Sequence, residues 1–303
     1  MSGGFWQNEI MKYVTNSVSD IRCNYSVIIG IEPSKGARSP TLWNEAYRAL
    51  GTTALMMPLD VSANNLEPLI RILESDDQFV GGSIAAPYKE LVTNILSSTS
   101  NQKFSRFSSF NCIFRGASGD LTGCNTDGMG ALATLESLVD VEKTNILLIG
   151  PGGTGKAIAQ SIVHKSGRPD LLAICSRKKD AIEFAEILGA TWLHVDSLAS
   201  VVSNFGLIIN CTPLGQGVQL DESPIAQNVI GKISKGSQIF DINYSIKKSL
   251  LSKQAAEANI KYVNGSLMNL EQAVKSFCIV NSAEDCSEEV RRVMKNVVAR
   301  IES

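Results

Sequence analysis

The residues of this chain best suited to chemistry begin with a glycine-rich run, Gly150-Pro-Gly-Gly-Thr-Gly155. An apolar segment, Asn145–Gly150, predicts a buried strand before the run, and Lys156–Val163 predicts a helix after it. Glycines permit a tight turn and a close approach of the backbone to a pyrophosphate, whose charge is met by N–H groups at the helix start. The spacing therefore predicts a dinucleotide site formed by Gly150, Gly152, Gly153 and Thr154.

Two other interpretations of the run stay open. Gly150, Gly155 and Lys156 also satisfy the G-x-x-x-x-G-K pattern of nucleoside triphosphate loops, but Ala157 stands where a hydroxyl for magnesium is expected. A tight structural turn without a ligand is the second alternative. The strand and helix around the run favour the dinucleotide.

A basic segment, Ser176-Arg-Lys-Lys179, follows the next predicted strand. A site that prefers NAD usually offers an acidic residue to the ribose at this place. Positive charge suits a 2′-phosphate instead, so Ser176, Arg177 and Lys178 predict NADP as the cofactor, with NAD as the alternative. A solvated helix start is the alternative role for these basic residues.

A lysine and an aspartate complete the candidate chemistry. Lys89 follows the run Gly82–Tyr88, at the carboxyl end of an apolar strand, where open α/β sheets present ligands. Asp127 follows Asn125 and Thr126, where we place the junction of two domains. Taken alone, the two residues are better explained as solvated surface charges.

The elements around these residues alternate between strands and helices, which predicts an α/β fold. In the first part, helices begin near Pro40 and Leu66, with Ser39 as the expected helix cap, and Asn111–Cys124 predicts a hairpin. The second part predicts a doubly wound parallel Rossmann sheet, and helical spacing runs from about Leu267 to Glu302. We therefore predict a substrate domain at 1–126, completed by C-terminal helices at 267–303 that return to it, and an NADP-binding domain at 127–266.

Composition excludes several classes of function. The 303 residues are 44% hydrophobic and carry a formal net charge of -2, without a basic run for nucleic acid or an anionic membrane. Apolar stretches are too short to span a bilayer and the N-terminus does not resemble a secretory signal, so we expect a cytoplasmic protein. Seven cysteines without C-x-x-C spacing and two histidines predict free thiols and no metal.

Short motifs in a fixed order resemble the shikimate and quinate dehydrogenase family, from about Gly30 to Phe277. They are Ser39-Pro-Thr-Leu-Trp-Asn44 for S-P-x-x-H-N, Pro87-Tyr-Lys89 for P-x-K, Asn111, Asn125-Thr-Asp127 for N-T-D, the glycine run, Asn210-Cys-Thr-Pro-Leu-Gly215 for N-x-T-P-L-G, Asp241-Ile-Asn-Tyr244, and Met268 with Gln272-Ala273.

The resemblance implies an oxidoreductase of the shikimate pathway of aromatic amino acid biosynthesis, or a catabolic relative acting on quinate. It would transfer a hydride between NADP(H) and a ring hydroxyl or ketone of shikimate or a related cyclic hydroxy acid, as a monomer or homodimer. Lys89 and Asp127 would be the catalytic pair. Ser39, Asn111, Tyr244 and Gln272 would contact the substrate, and Thr212, Pro213, Leu214, Gly265 and Met268 the cofactor.

The chain departs from the family at the substrate carboxylate. Ala37 and Ala85 stand where the family has Ser and Thr, and Trp43 replaces a histidine. Hydrogen bonds to a charged group contribute about 1.5 to 3 kcal/mol each, so losing two weakens shikimate binding by roughly two to four orders of magnitude. Arg38 or Lys35 is a candidate for a replacement contact.

Two further functions stay open. One is another NADP-linked two-domain dehydrogenase, of the methylene-tetrahydrofolate dehydrogenase type, which the N-x-T-P-L-G and Gln272-Ala273 matches disfavour. The other is a dinucleotide-binding regulator without turnover. Because a binding module needs no proton-transfer pair, Lys89 and Asp127 disfavour the regulator.

Overall fold

The chain divides into two compact units. One comprises Met1–Thr126 and Leu270–Ser303, and the other comprises Asp127–Asn269. The computed structural model describes residues 3–18, 23–99, 107–244 and 247–302.

The first unit contains a five-stranded sheet in the order β2-β1-β3-β4-β5. Its strands are β1 (Tyr25–Gly30), β2 (Leu55–Asp60), β3 (Phe79–Ile84), β4 (Cys112–Arg115) and β5 (Leu121–Cys124). The first three are mutually parallel, whereas β4 and β5 form an antiparallel hairpin, as predicted. Every residue of β1 is buried, as expected for a central strand with helices on both faces.

Helices cover both faces of this sheet. They are α1 (Gly3–Met11), α2 (Ser39–Ala49), α3 (Ala63–Ser75), α4 (Lys89–Thr99) and, at the C-terminus, α11 (Ser266–Asn281) and α12 (Ser287–Glu302). One core gathers Val27 and Ile29 with α3, and the other gathers Ile28 with α2, α11 and α12. The C-terminal helices thus return to this sheet, as predicted.

Two local expectations in this unit are wrong. Ser39 is the first residue of α2 and does not cap it, because the preceding Arg38 already has helical backbone angles and no side-chain cap forms. The helical pattern from Leu267 to Glu302 is broken after Asn281, where Ser282 adopts a φ of 49° before a short 3₁₀ turn. α12 then begins at Ser287.

The second unit is a doubly wound sheet of six parallel strands, as predicted. The strands are β6 (Ile146–Ile149), β7 (Leu172–Cys175), β8 (Thr191–Leu193), β9 (Leu207–Asn210), β10 (Gln238–Asp241) and β11 (Lys261–Asn264). Their order, β11-β10-β9-β6-β7-β8, reverses direction between β6 and β9. Open α/β sheets bind ligands outside the carboxyl ends of strands at such a point.

Two helices of the second unit lie side by side. α5 (Asp127–Leu135) packs on α6 (Gly153–Ser166). The others are α7 (Asp180–Leu188), α8 (Leu198–Val201), α9 (Gln227–Ile230) and α10 (Leu250–Glu257). Strands β6, β7 and β9 are buried along their whole length, which fixes the positions of the loops that follow them.

Candidate functional site

The glycine run lies between β6 and α6, at the point where the strand order reverses. Gly150 has a φ of 90°, and a Cβ at this position would meet Cγ2 of Thr212 at 2.5 Å. A Cβ on Gly155 would collide with the carbonyl oxygen of Gly150. Gly152 is exposed and faces open space, so a ligand can approach the backbone here.

The start of α6 suits an anion. Gly152 precedes the first helical residue, Gly153, and has no side chain to cap the helix. The first N–H groups of an α-helix have no acceptor within the helix, and the helix dipole favours negative charge near them. The run and α6 together therefore form a cradle for a pyrophosphate.

The basic segment after β7 presents two cations. The buried Ser176 accepts the backbone N–H of Lys178 through its Oγ at 3.0 Å, which fixes the turn. Arg177 and Lys178 are exposed, and neither forms an ion pair within the described part of the chain. Both charges are available to a dianion such as a 2′-phosphate.

The candidate catalytic carboxylate is fixed to the cofactor helix. Thr154, in the first turn of α6, donates a hydrogen bond from Oγ1 to Oδ2 of Asp127 at 2.9 Å. Asp127 is buried at the start of α5. A Cβ on the next residue, Gly128, would meet the carbonyl oxygen of Ala157 at 2.7 Å, so only glycine permits this approach of the two helices.

The loop after β9, which carries the candidate nicotinamide contacts, is held by two asparagines. Oδ1 of Asn210 accepts the N–H and the hydroxyl of Thr212 at 2.9 and 2.7 Å. Nδ2 of Asn243 donates to the carbonyl oxygens of Thr212 and Leu214 at 2.9 and 3.0 Å. Pro213 lies between these anchored residues, so the backbone of the whole loop segment is fixed.

Both asparagines depend on a buried carboxylate. Asp241 accepts Nδ2 of Asn210 at 2.9 Å, the N–H of Asn243 at 3.1 Å and the hydroxyl of Tyr262 at 2.9 Å. Burial raises the pKa of Asp241 to about 6, although these hydrogen bonds oppose the rise. Asp241 therefore stabilises the Thr212–Leu214 loop, because it holds the two asparagines that anchor this loop.

The sequence did not predict this support for the loop. In the sequence, Asn210, Asp241 and Asn243 occur in family motifs without an assigned role, and Tyr262 lies outside them. A signal was present, because Asn210 and Asp241 are the last residues of two buried strands, where polar side chains are unusual. The pairing register that sets them side by side, Asp241 opposite Asn210, is visible only in the sheet.

Three further candidate residues follow the strands that carry this network, namely Tyr244, Gly265 and Met268. The Tyr244 hydroxyl accepts Nδ2 of Asn269 at 3.1 Å. The N–H of Gly265 donates to the carbonyl oxygen of Asn243 at 3.0 Å, and a Cβ on Gly265 would collide with the Ile242 carbonyl. Met268 is 5% exposed in α11. These residues follow β10 and β11, at the same edge of the sheet as the glycine run.

A cavity of about 700 Å³ opens beside this region. Gly215 and Asn243 form part of its wall next to the anchored loop, and Tyr262 forms another part. Lys247, Lys248 and Lys253 also line it. Three ammonium groups make this part of the second unit attractive to an anionic group.

The first unit joins two of the candidate substrate contacts. Nδ2 of the buried Asn111 donates to Oε1 of Gln272 at 3.2 Å and to Oγ1 of Thr126 at 2.9 Å. Oδ1 of Asn111 accepts the N–H of Thr126 at 2.7 Å. The Thr126 hydroxyl lies 2.7 Å from Oγ of Ser276. The hairpin and α11 thus hold two amide side chains together at one place.

Lys89 is the first residue of α4 and is half-buried. Its carbonyl oxygen accepts the N–H of Phe110 at 3.2 Å and Oγ1 of Thr93 at 2.8 Å, so its backbone is fixed beside the segment that leads to Asn111. The N–H of Ile84, at the end of β3, donates to the Asn111 carbonyl at 2.8 Å. Lys89 and Asn111 therefore belong to the same end of the sheet.

The positions where the family binds a carboxylate are apolar here. Ser39 is buried at the start of α2, whereas Ala37 and Ala85 are half-buried against an apolar core. Trp43 is fully buried and packs on Phe277, with ring centroids 5.2 Å apart. Nε1 of Trp43 makes no hydrogen bond with the residues that the structure describes. Trp43 is therefore a core residue and offers no ligand contact.

Both candidates for a replacement carboxylate contact have acidic partners. Nη1 of Arg38 lies 2.9 Å from Oε1 of Glu302, and the Arg38 side chain is 10% exposed. Lys35 pairs with Glu32 at 2.6 Å on the surface. A substrate carboxylate would have to displace these partners.

Neither a metal centre nor a membrane span was found within the described ranges. No group of three or more His, Cys, Asp or Glu in them is placed to hold a metal ion. None of their helices is both long enough and apolar enough to cross a membrane. The seven cysteines are free thiols, as predicted.

Comparisons with known proteins agree with this architecture. Residues 28–113 match the family described as the shikimate dehydrogenase substrate binding domain. The chain is 28% identical over 266 residues to a shikimate dehydrogenase (NADP(+)) of Pyrococcus furiosus, covering 88% of this chain and 93% of the relative. A relative of the same description from Thermococcus kodakarensis is 29% identical over 252 residues, covering 82% and 88%.

Solved structures of the same description share the fold. Shikimate dehydrogenase from Aquifex aeolicus superposes with a TM-score of 0.74 at 24% identity, covering 91% of this chain and 99% of that one. The Thermus thermophilus protein in complex with NADP(H) and shikimate gives 0.72 at 19% identity, covering 90% and 99%. At these identities the likeness establishes the fold alone.

Proposed function

We propose that this chain is an NADP-dependent oxidoreductase of the shikimate dehydrogenase family, which its likeness to the substrate binding domain of that family and to its curated relatives supports. It transfers a hydride between NADP(H) and a ring hydroxyl or ketone of shikimate or a related cyclic hydroxy acid. The relatives described as shikimate dehydrogenase (NADP(+)) support this reaction class.

The hydrogen bond between Thr154 and Asp127 is the observation that carries the proposal. A site that only binds a dinucleotide has no need of a buried carboxylate tied to the first turn of its phosphate-binding helix. A dehydrogenase does need one, because a proton-transfer group must keep its position relative to the cofactor.

The cofactor residues fit NADP. The exposed backbone at Gly152 and the start of α6 would hold the pyrophosphate. Arg177 and Lys178 would meet the 2′-phosphate, and the loop Thr212–Leu214, with Gly265 and Met268, would bound the nicotinamide. When bound, the nicotinamide accepts or supplies the hydride.

Lys89 and Asp127 would handle the proton. When the hydride leaves the carbon that bears the hydroxyl, that hydroxyl must also lose its proton. Lys89 would accept it, and the Asp127 carboxylate would orient the lysine and the hydroxyl. In the reverse direction the Lys89 ammonium returns the proton to the ketone oxygen.

The substrate would bind through amides and hydroxyls. Asn111 and Gln272, in contact at 3.2 Å, offer donors and acceptors to ring hydroxyls, and Ser39 and Tyr244 would add hydroxyl contacts. Ala37 and Ala85 offer nothing to a carboxylate. We therefore propose that shikimate is a poor substrate compared with a cyclic hydroxy acid whose carboxylate is held elsewhere.

A panel of polyhydroxylated ring acids tests the function directly. Each acid, including shikimate and quinate, is mixed with NADP or NAD and followed by nicotinamide absorbance, with the Lys89→Ala variant as the control. We expect NADP reduction with at least one acid and a steep loss in the variant. Tight NADPH binding without turnover of any acid would instead identify a dinucleotide-binding regulator.

A further inference from the structure

We propose that Cys112 and Cys124 form an oxidation site, in which a hydroperoxide converts Cys124 to a sulfenic acid and Cys112 then closes a disulfide across the hairpin. The proposal goes beyond the dehydrogenase function, and its main test does not depend on that function.

The two cysteines are direct partners in the β4–β5 ladder. Cys112 lies opposite Cys124 in the antiparallel register. Residues directly opposite have Cβ atoms about 4.5 to 5.5 Å apart on the same face of the sheet. A disulfide requires Cα atoms about 4.4 to 6.8 Å apart and Cβ atoms about 3.5 to 4.5 Å apart. A small approach of the two strands is therefore enough to form the bond.

The two thiols differ in exposure and in charge state. Cys112 is fully buried, with Sγ 4.0 Å from the carbonyl oxygen of Ser276, whereas Cys124 is half-buried. The neighbouring Cys112 thiol lowers the pKa of Cys124, and the Lys275 ammonium acts in the same direction, although burial opposes both. Cys124 is therefore the attacking thiolate, and Cys112 is the partner that resolves the product.

Both steps balance with the hydroperoxide as the oxidant. The Cys124 thiolate attacks the distal peroxide oxygen, so that an S–O bond forms, the O–O bond breaks and the leaving oxygen takes up a proton as water or an alcohol. The Cys112 sulfur then attacks the Cys124 sulfur, an S–S bond forms, and the hydroxyl leaves with the Cys112 proton as water. Two thiols are oxidised by two electrons, and one peroxide is reduced.

Cys175, Cys211 and Cys23 lack this combination. Cys175, in β7, is fully buried, and burial raises its pKa to about 12. Burial also raises the pKa of Cys211 well above the usual range. Cys23 is half-buried, but its thiol donates to the carbonyl oxygen of Thr53 at 2.8 Å. Cys23 therefore provides a control of similar exposure.

The site adjoins the candidate substrate contacts. Cys112 follows Asn111, and Cys124 precedes Asn125 and Thr126. A disulfide would draw these strand ends together. It would thereby disturb the two hydrogen bonds between Asn111 and Thr126, which are 2.7 and 2.9 Å long. Because small misplacements are costly in an active site, we expect a turnover loss of about tenfold or more, reversed by dithiothreitol.

Peptide mapping of the full-length protein tests the proposal. The folded protein is treated with hydrogen peroxide, the remaining thiols are alkylated, and trypsin is applied without reduction. Trypsin cleaves after Arg106, Arg115 and Lys143, so Cys112 and Cys124 fall in separate peptides, 107–115 and 116–143. We expect these two peptides to be joined, with a loss of two hydrogen atoms, and to separate on reduction.

Single variants decide the order of the steps. With Cys112→Ser, oxidation is expected to stop at a Cys124 sulfenic acid, which dimedone traps. With Cys124→Ser, neither the linkage nor the dimedone adduct forms on the hairpin, whereas Cys23→Ser behaves like the unmodified protein. Circular dichroism establishes that each variant is folded. Separate peptides in the oxidised unmodified protein, or a dimedone adduct on Cys23 in preference to Cys124, would overturn the proposal.

Discussion

Thr154 of the glycine run and Asp127, the first residue of α5, are joined by a hydrogen bond of 2.9 Å. The first belongs to the helix that would carry the pyrophosphate, and the second is the candidate catalytic carboxylate. One bond therefore links the helix of the glycine run to the carboxylate that we propose orients Lys89. The Thr154 side chain therefore has a role beyond the turn that the glycine run forms, because its hydroxyl holds Asp127.

Removing the Thr154 hydroxyl should separate these two roles. We expect Thr154→Val to lower turnover by about 10 to 100-fold, since one hydrogen bond to a charged group contributes about 1.5 to 3 kcal/mol, while NADPH affinity changes little. Thr154→Ser keeps the hydroxyl and is the matched control. A stopped-flow hydride-transfer rate measures the effect, and equal rates in the Val and Ser variants would contradict it.

The cofactor preference depends on the charges after β7. We expect Arg177→Ala and Lys178→Ala each to weaken NADPH binding by about 10 to 100-fold, because a charge-assisted contact to the 2′-phosphate is lost. NADH has no such phosphate, so its affinity should stay the same. Titrating both reduced cofactors by fluorescence compares them, and Lys179→Ala is the control. A parallel loss for both cofactors would show that the two residues face another part of the ligand.

Restoring the family's hydroxyl groups should restore shikimate binding. In Ala37→Ser with Ala85→Thr, we expect the KM for shikimate to fall by roughly two to four orders of magnitude, with kcat changing less. The melting temperature serves as the control, since both positions pack against an apolar core. Ordinary shikimate kinetics in the unmodified protein would show that another residue already binds the carboxylate.

The raised pKa of Asp241 implies that the free energy of unfolding depends on pH. Its folded pKa of about 6 lies above the usual value of 3.8, so the folded protein binds more protons than the unfolded chain between these values. The free energy of unfolding should therefore fall by about 3 kcal/mol as pH rises through this window, and stay level above it.

Asp241→Asn isolates that contribution, because an amide keeps the shape of the side chain and cannot ionise. Urea unfolding at several pH values from about 4 to 7 measures the difference between the two proteins. We expect the unmodified protein to lose stability relative to the variant as pH rises. A constant difference across this range would show that Asp241 does not titrate there.

Much of the fold could be predicted from the sequence, because its strands are short apolar runs separated by helices and its glycine run marks the strand reversal. The doubly wound parallel sheet of the second unit follows from that pattern. The capping role of Ser39 was predicted wrongly, because the backbone of Arg38 is already helical and Ser39 is the first residue of the helix.

Less of the candidate site than of the fold could be predicted from the sequence. Only the family resemblance assigns Asn111 and Gln272 to one site, and their contact is visible only in the structure, because residues so distant along the chain leave no periodic signal. The Asn210, Asp241 and Asn243 network depends on strand register, which no spacing in the sequence specifies. Residues that hold a loop from neighbouring strands can therefore be identified only from the pairing of the strands in the sheet.

The most direct test of the proposed mechanism is the single-turnover hydride-transfer rate in Lys89→Ala, Asp127→Asn and the double variant, measured with saturating NADP and the best substrate of the panel. General acid–base assistance contributes about 10² to 10⁴-fold, so Lys89→Ala should slow the step by that factor while the Kd for NADPH is unchanged. The double variant should lose less than the product of the single losses, because the groups act as a unit. If Lys89→Ala raised only the KM and left the rate intact, Lys89 would be a binding residue and the proposed proton transfer would be wrong.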